Sequence, residues 1–301
     1  MVAATPLSLD PATFLFCMAF FCYVMAAISL STATTLGGNT LGLKEWATTM
    51  LVAGAAFSLF FLRGHAPDFL TVLVANTFIF FAPASAWAAY AKFFNIAAPR
   101  RLILALCYSG TVALCAIYFF HLPHRLIVFS VSVQVATLTA LLIASIWPHV
   151  SWKTSSATWM SLAGLGALAI ALCLRAWTVL FENAASVALL AKSPTQFGFF
   201  FAAALCILAT SVGFILMAHE KQRTEILEAS KRDGLTGLYT KTAFFDIAAT
   251  LEEEEPYAVV MVDIDFFKGI NDSFGHAAGD LAIGFCRIKH VDHSIEVDFC
   301  V

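Results

Sequence analysis

Apolar residues dominate the first two thirds of the chain and fall into seven runs, roughly 12–33, 46–63, 68–91, 101–120, 125–147, 157–181 and 197–218. A helix needs about 20 apolar residues to cross a hydrocarbon core, so each run predicts a membrane-spanning helix. The pattern changes at His219. "HEKQRTEILEASKRD" (219–233) predicts a charged helix continuing the last span. Further on, "YAVVMVDID" (257–265) is a continuous apolar run with β-branched residues and a polar end, the signature of a buried strand. "HSIEVDFCV" (293–301) alternates with the period of a second strand. The pattern therefore predicts three parts: a multi-span membrane region at 1–218, a connector helix at 219–232, and a small polar domain at 233–301.

Composition sharpens this division. Only 12% of the 301 residues are charged, against about 25% in ordinary soluble domains, and most of the charges lie after His219. A formal charge of −3 gives no electrostatic ground for a nucleic-acid partner. The opening "MVAATPLSLDP" carries no Lys or Arg, so the first run lacks the positive flank of a signal peptide. Loop charges predict orientation. With the N-terminus outside, Lys44, Lys92, Arg100, Arg101, Lys153, Lys221 and Arg223 face the cytoplasm, and only Arg63, Arg125 and Lys192 face outward. The expectation is a multi-pass protein of the cell inner membrane with its C-terminal domain in the cytoplasm. The eight cysteines show no CxxC pair and read as small buried hydrophobes.

Within the spans, Arg175 in "LCLRAWTVLFEN" is the one strong charge. An intramembrane cation marks a functional site by default, and here two readings stand: a membrane sensor residue, or a side chain that snorkels to the outer end or pairs with Glu182. Asn76 and Gln134 are expected to hydrogen-bond between helices. His65, His121, His124 and His149 are assigned to loops, with no ligand spacing. No duplicated or broken-helix pair marks a transport site, which favours a sensor or anchor over a transporter or channel. Leu216, Arg223, Ile226 and Ser230 make a poor heptad seam along the connector.

The chemistry concentrates in "VDIDFFKGINDSFGHAAGD" (262–280). Asp263 and Asp265 are placed at i and i+2 of the predicted strand, on one face. Two carboxylates at a strand end call for a cation, and a hard one such as Mg²⁺, which also binds substrate phosphates, fits. Lys268 follows where strand turns to helix, so its charge and free backbone N–H groups suit phosphates. Asn271 and Asp280 offer acceptors suited to guanine, whose N1 and N2 are donors. Gly275 and Gly279 are expected to form tight turns beside His276.

"RDGLTGLYTKTAF" (232–244) followed by "VDIDFFKGINDSFGHAAGD" resembles the GGDEF domain of diguanylate cyclases. The resemblance covers about 230–301 and implies a palm-like α/β nucleotidyl-cyclase fold behind the α-helical transmembrane bundle. It also implies condensation of two GTP molecules into cyclic di-GMP and pyrophosphate by a homodimer, with two Mg²⁺ per active site. Carried onto matching residues, it makes Asp263 and the Ile264 carbonyl metal ligands. Phe266, Phe267 and Lys268 become phosphate contacts, Asn271 and Asp280 guanine readers, and Asp272 and His276 supporting residues. Asp233, Leu235, Thr236, Gly237 and Leu238 match a structural turn ahead of the next helix.

The departures are specific. Gly234 stands where the family usually has proline, and Thr240-Lys241 where it usually has Asn-Arg. The signature Gly-Gly-Asp/Glu-Glu-Phe is absent from the 301 residues, and Asp298 falls where the family has an aspartate shortly before it. The sequence thus predicts a GGDEF domain cut short before its active-site turn, by a stop, a frameshift or an incomplete record, with no intact catalytic residue set. The stretch 281–292 reads as a poor helix around Gly284. The expected function is a membrane-bound diguanylate cyclase homologue, inactive as this span. The alternatives are a non-catalytic membrane receptor with a degenerate GTP-binding domain, a transporter with an incidental tail, and an ATP-using cyclase.

Overall fold

The computed structural model describes residues 10–35, 41–151, 155–181, 189–249 and 263–285. It divides into two compact units, 1–220 and 221–301. In the first unit the helices are α1 (Pro11–Thr35), α2 (Leu43–Phe61), α3 (Ala75–Phe94), α4 (Arg100–Phe119), α5 (His124–Ile146), α6 (Ser156–Phe181) and α7 (Pro194–Ser230). A π-helical turn, Phe69–Val74, leads into α3, and a 3₁₀ turn, Trp147–His149, follows α5.

These helices coincide with the seven predicted runs. Six of the helical segments are long and apolar enough to cross a membrane; α2 is not among them. It spans 19 residues and spends its first turns on Lys44, Glu45, Thr48 and Thr49, which leaves a shorter apolar stretch. Lys92 of α3 meets Glu45 at 2.5 Å. Outward faces are apolar too. In α4 only 22% of the apolar window is buried, and Leu104 and Tyr108 are exposed. A helix apolar on all sides needs an apolar surround, and the hydrogen bonds within each helix satisfy the backbone there.

α2 packs on α1 and α3, and α5 on α3, α4 and α6. The centre is aromatic. Phe214 of α7, wholly buried, stacks on Trp46 at 4.9 Å and meets Tyr90 edge-on at 4.9 Å. The Tyr90 hydroxyl bonds to Ser161 of α6, whose own hydroxyl donates to the Thr210 carbonyl of α7 at 3.3 Å. That close α6–α7 approach needs Gly213, where a Cβ would lie 2.7 Å from the Ser161 backbone nitrogen. Gln134 of α5 donates to the Leu106 carbonyl of α4 at 2.6 Å, an interhelical bond as expected. Asn76 does not bridge helices in this way: its amide donates to the Val72 carbonyl one turn back, at 2.6 Å. Of the described cysteines, Cys22, Cys107 and Cys206 are buried, whereas Cys17 and Cys173 lie exposed on their helices; all are free thiols.

α7 runs unbroken to Ser230, so the connector is helical as predicted. The second unit then holds α8 (Lys241–Ala248), α9 (Phe267–Phe274) and α10 (His276–Phe285). Its pairing among the described residues is one isolated bridge, Arg232 with Tyr239. Residues 257–262 of the predicted strand, and the tail 293–301 with Asp298, lie outside the described residues. At the described end of the predicted strand the chain is already turning at Asp265, because Phe266 takes a left-handed conformation (φ 58°) to open α9. The shared strand face expected of Asp263 and Asp265 depends on the strand at 257–262, outside the described residues. The part of 281–292 that is described, up to Phe285, is helical as the end of α10, Gly284 notwithstanding.

Candidate functional site

The second unit opens with a turn built on Asp233. Its carboxylate accepts hydrogen bonds from the Leu235 and Thr236 backbone N–H groups, at 3.1 and 2.9 Å, and from the Thr236 hydroxyl at 2.9 Å. The Thr236 bonds, from backbone and hydroxyl, hold the carboxyl below the usual carboxylate range, with the Leu235 bond adding to them. Gly237 takes φ 69°, a conformation that side chains strain, and the Arg232 guanidinium donates to its carbonyl at 2.9 Å while lying over the Tyr239 ring. The chain then enters α8 through Thr240, whose hydroxyl accepts from the Ala243 N–H. Threonine and asparagine both cap helices in this way, so the Thr240 departure keeps the local geometry.

The predicted metal and phosphate residues follow. Asp263 is exposed and its Oδ1 accepts from the Ile264 N–H at 2.9 Å; Ile264 is half-buried. Phe266, 89% exposed, stands at the cap of α9. The first bond of that helix runs from Ile270 N–H to the Phe266 carbonyl at 3.2 Å. The amides of Phe267, Lys268 and Gly269 thus form its open N-terminal end, the arrangement that suits phosphate oxygens. Lys268 is exposed in this first turn. No group of three or more metal-capable side chains occurs among the described residues. Magnesium, however, is commonly held by one or two carboxylates with substrate phosphates and water, and Asp263 with the Ile264 carbonyl fits such partial ligation.

The residues expected to read guanine, Asn271 and Asp280, lie on α9 and α10. Gly275 (φ 83°) joins α9 to α10, and its N–H closes on the Asn271 carbonyl at 2.9 Å. The two helices then pack on each other, and the Asn271 side chain lies against Gly279. A Cβ at Gly279 would fall 2.0 Å from Asn271 Oδ1. Gly279 is accordingly not a turn residue, as its type suggested, but the place in α10 where the Asn271 side chain leaves no room for a Cβ. Asp272 is exposed on α9, and His276, also exposed, begins α10.

In the first unit Arg175 is half-buried. It donates to Gln196 Oε1 at 2.8 Å and lies over the Phe199 ring at 4.2 Å. Gln196, only 1% exposed, in turn donates to the Leu189 carbonyl at 3.2 Å. Glu182, the partner expected from sequence, lies outside the described residues. His124 begins α5 and is not a loop residue.

An aspartate and an open helix N-terminus thus precede two connected helices that carry Asn271 and Asp280. Residues 230–286 match the family "Diguanylate cyclase, GGDEF domain". The chain is 40% identical over 68 residues to diguanylate cyclase A of Treponema denticola, covering 20% of this chain and 18% of that protein. It is 38% identical over 55 residues to the probable diguanylate cyclase DgcT of Escherichia coli, covering 17% and 12%. It is 34% identical over 65 residues to diguanylate cyclase VdcA of Vibrio cholerae, covering 21% and 19%. This segment is therefore similar to the GGDEF domain of diguanylate cyclases. The match spans under a fifth of the length of each of these three relatives. No solved structure matches the chain.

Proposed function

We propose that the chain is a membrane-bound diguanylate cyclase homologue, with residues 1–218 as its multi-span region, 219–232 as a signalling helix and 233–301 as part of a GTP-binding GGDEF domain. The observation that supports this reading is the seating of Asn271 against Gly279, the residue before Asp280. In this reading Asn271 and Asp280 are the neutral and acidic acceptors for guanine's N1 and N2 donors. Asp263 and the Ile264 carbonyl would hold Mg²⁺, which when bound polarises the α-phosphate and favours ionisation of the attacking 3′-hydroxyl. The α9 amides and Lys268 orient the triphosphate, and orientation of that kind supplies much of the rate in phosphoryl chemistry. Asp272 and His276 support the helix pair. A homodimer would bring two such sites face to face.

Seven crossings, including α2, put the second unit in the cytoplasm, where GTP is. The loop charges support this orientation. The signature Gly-Gly-Asp/Glu-Glu-Phe does not occur in the 301 residues, and a second reading is a receptor that binds GTP without converting it.

The test is a chimera of these residues with the C-terminal part of diguanylate cyclase A, supplied with labelled GTP or ATP. Cyclic di-GMP from GTP, none from ATP, and loss of the GTP preference in Asp280→Ala are the expected results. GTP bound but never converted supports the receptor. Equal use of ATP, or an unchanged preference in Asp280→Ala, removes the guanine assignment.

A further inference from the structure

The first unit encloses a cavity of about 210 Å³ lined from α1, α2, α3, α5, α6 and α7. Its body is apolar, with Met18, Phe57, Leu142, Leu165 and Phe200 in the wall. An apolar cavity of about 150 Å³ takes up benzene, so by the same proportion this one has room for about eight non-hydrogen atoms. Arg63, His124 and Arg175 also line it. Asp68 already acts on Arg63 as a counter-charge, and Arg175 donates to Gln196 and lies over the Phe199 ring. The wall therefore sets no demand for an acid.

Two neutral side chains do set a demand. Thr49, Thr139 and Thr210 of the wall each donate their hydroxyl to a carbonyl one turn back, at 2.8 to 3.0 Å. Ser132 does not. It is 2% exposed and lines the cavity, and its hydroxyl makes no hydrogen bond among the described residues. Asn76, 7% exposed, lines the cavity too. Its amide nitrogen donates to the Val72 carbonyl at 2.6 Å. That bond fixes which way the amide is turned and leaves Oδ1 without a donor among the described residues. Buried polar groups without partners are costly.

Asn76 and Ser132 stand at one depth. Short connections make α3, α4 and α5 antiparallel in turn, so α3 and α5 run the same way, and these two pack on each other. Asn76 is seven residues past Phe69, where its helical segment opens, and Ser132 is eight past His124, where α5 opens. Each lies a rise of about 10–12 Å into its helix. At that depth the wall carries a hydroxyl lacking an acceptor and an amide oxygen lacking a donor. An alcohol supplies both from one group.

We infer that this cavity is a binding site for a small neutral alcohol with an apolar body of about seven carbons, its hydroxyl accepting from Ser132 and donating to Asn76 Oδ1. The hydrocarbon lies among the methionine, leucine and phenylalanine side chains. Phe200 and Thr210 of α7 belong to the wall, and α7 runs on to Ser230, so the occupant touches the helix that leads into the second unit. The site stands on the first unit alone and does not rest on the cyclase reading.

The test is photolabelling of the 301-residue chain in phosphatidylcholine nanodiscs by a hexanol carrying a diazirine, with the adducts mapped by mass spectrometry. Saturable labelling of wall residues from α2, α3 and α5 is expected. Heptanol should compete best, a heptanone, which only accepts, more weakly, and heptane least. Ser132→Ala should weaken the labelling about two- to tenfold, the scale of one hydrogen bond. The ranking of competitors is read on the parent chain, so it tests the inference even where Ser132→Ala alters folding. Labelling confined to outward residues such as Leu104 and Tyr108 would overturn the inference. So would competition by heptane or heptanoate equal to that by heptanol, or unchanged labelling in Ser132→Ala. Because the readout is labelling of the first unit, its failure leaves the GTP assignment standing, and the converse holds.

Discussion

Asn271 and Gly279 form the contact on which the proposed nucleotide recognition rests. A methyl group at Gly279 would meet Asn271 Oδ1 at 2.0 Å, so Gly279→Ala must push the amide off its place without touching Asp280. We expect GTP affinity in the chimera to fall by roughly ten- to a hundredfold, the scale of a lost hydrogen bond to a charged or buried partner, with α-helical content unchanged; equilibrium binding of labelled GTP checks it. Asp233 makes a different prediction, one of pH. Its folded pKa is depressed by the Thr236 and Leu235 bonds, so its contribution is complete above the unfolded carboxylate pKa of about 3.9 and is lost as pH falls through the lower folded value. Amide exchange at Leu235 and Thr236 should accelerate across that window, and Asp233→Asn should remove the acid dependence. The residue types at both positions were legible in the sequence. The reason for Gly279 was not, because it depends on how closely α9 and α10 approach, which spacing along the chain does not encode.

At the level of elements, apolar run length located every long helix of the first unit, and the change in charge at His219 located the connector. The predicted strand before Asp263 lies outside the described residues; after it the chain turns at Asp265, and Phe266 takes a left-handed conformation to open α9. The meeting of Asn76 and Ser132 at one cavity was hidden from the sequence, because only the packing of α3 on α5 brings them together. Two substitutions probe the elements. Thr240→Ala should cost α8 about 1 kcal/mol through the lost cap, seen as faster exchange confined to α8. Phe214→Ala should cost about 3–5 kcal/mol, because Trp46 and Tyr90 both lose their central contact, seen as a lower unfolding temperature of the first unit.

For the molecule as a whole, one unbroken helix, α7, runs from the apolar first unit into the second. The helix α2, outside the set long and apolar enough to cross a membrane, decides the topology. If it crosses, the loop after it faces outward. His65→Cys, read against the parent chain's own labelling, should then react with a membrane-impermeant thiol reagent added outside intact cells; labelling only after permeabilisation would remove α2 from the set of spans and reverse the loop bearing Arg63. What remains is the metal. The most direct measurement is magnesium-dependent turnover of labelled GTP by the chimera, before and after Asp263→Ala. The account expects product formation to fall by at least about a hundredfold, since a direct ligand should matter no less than the outer-shell groups that cost 10–100-fold; turnover that survives the substitution unchanged would contradict it.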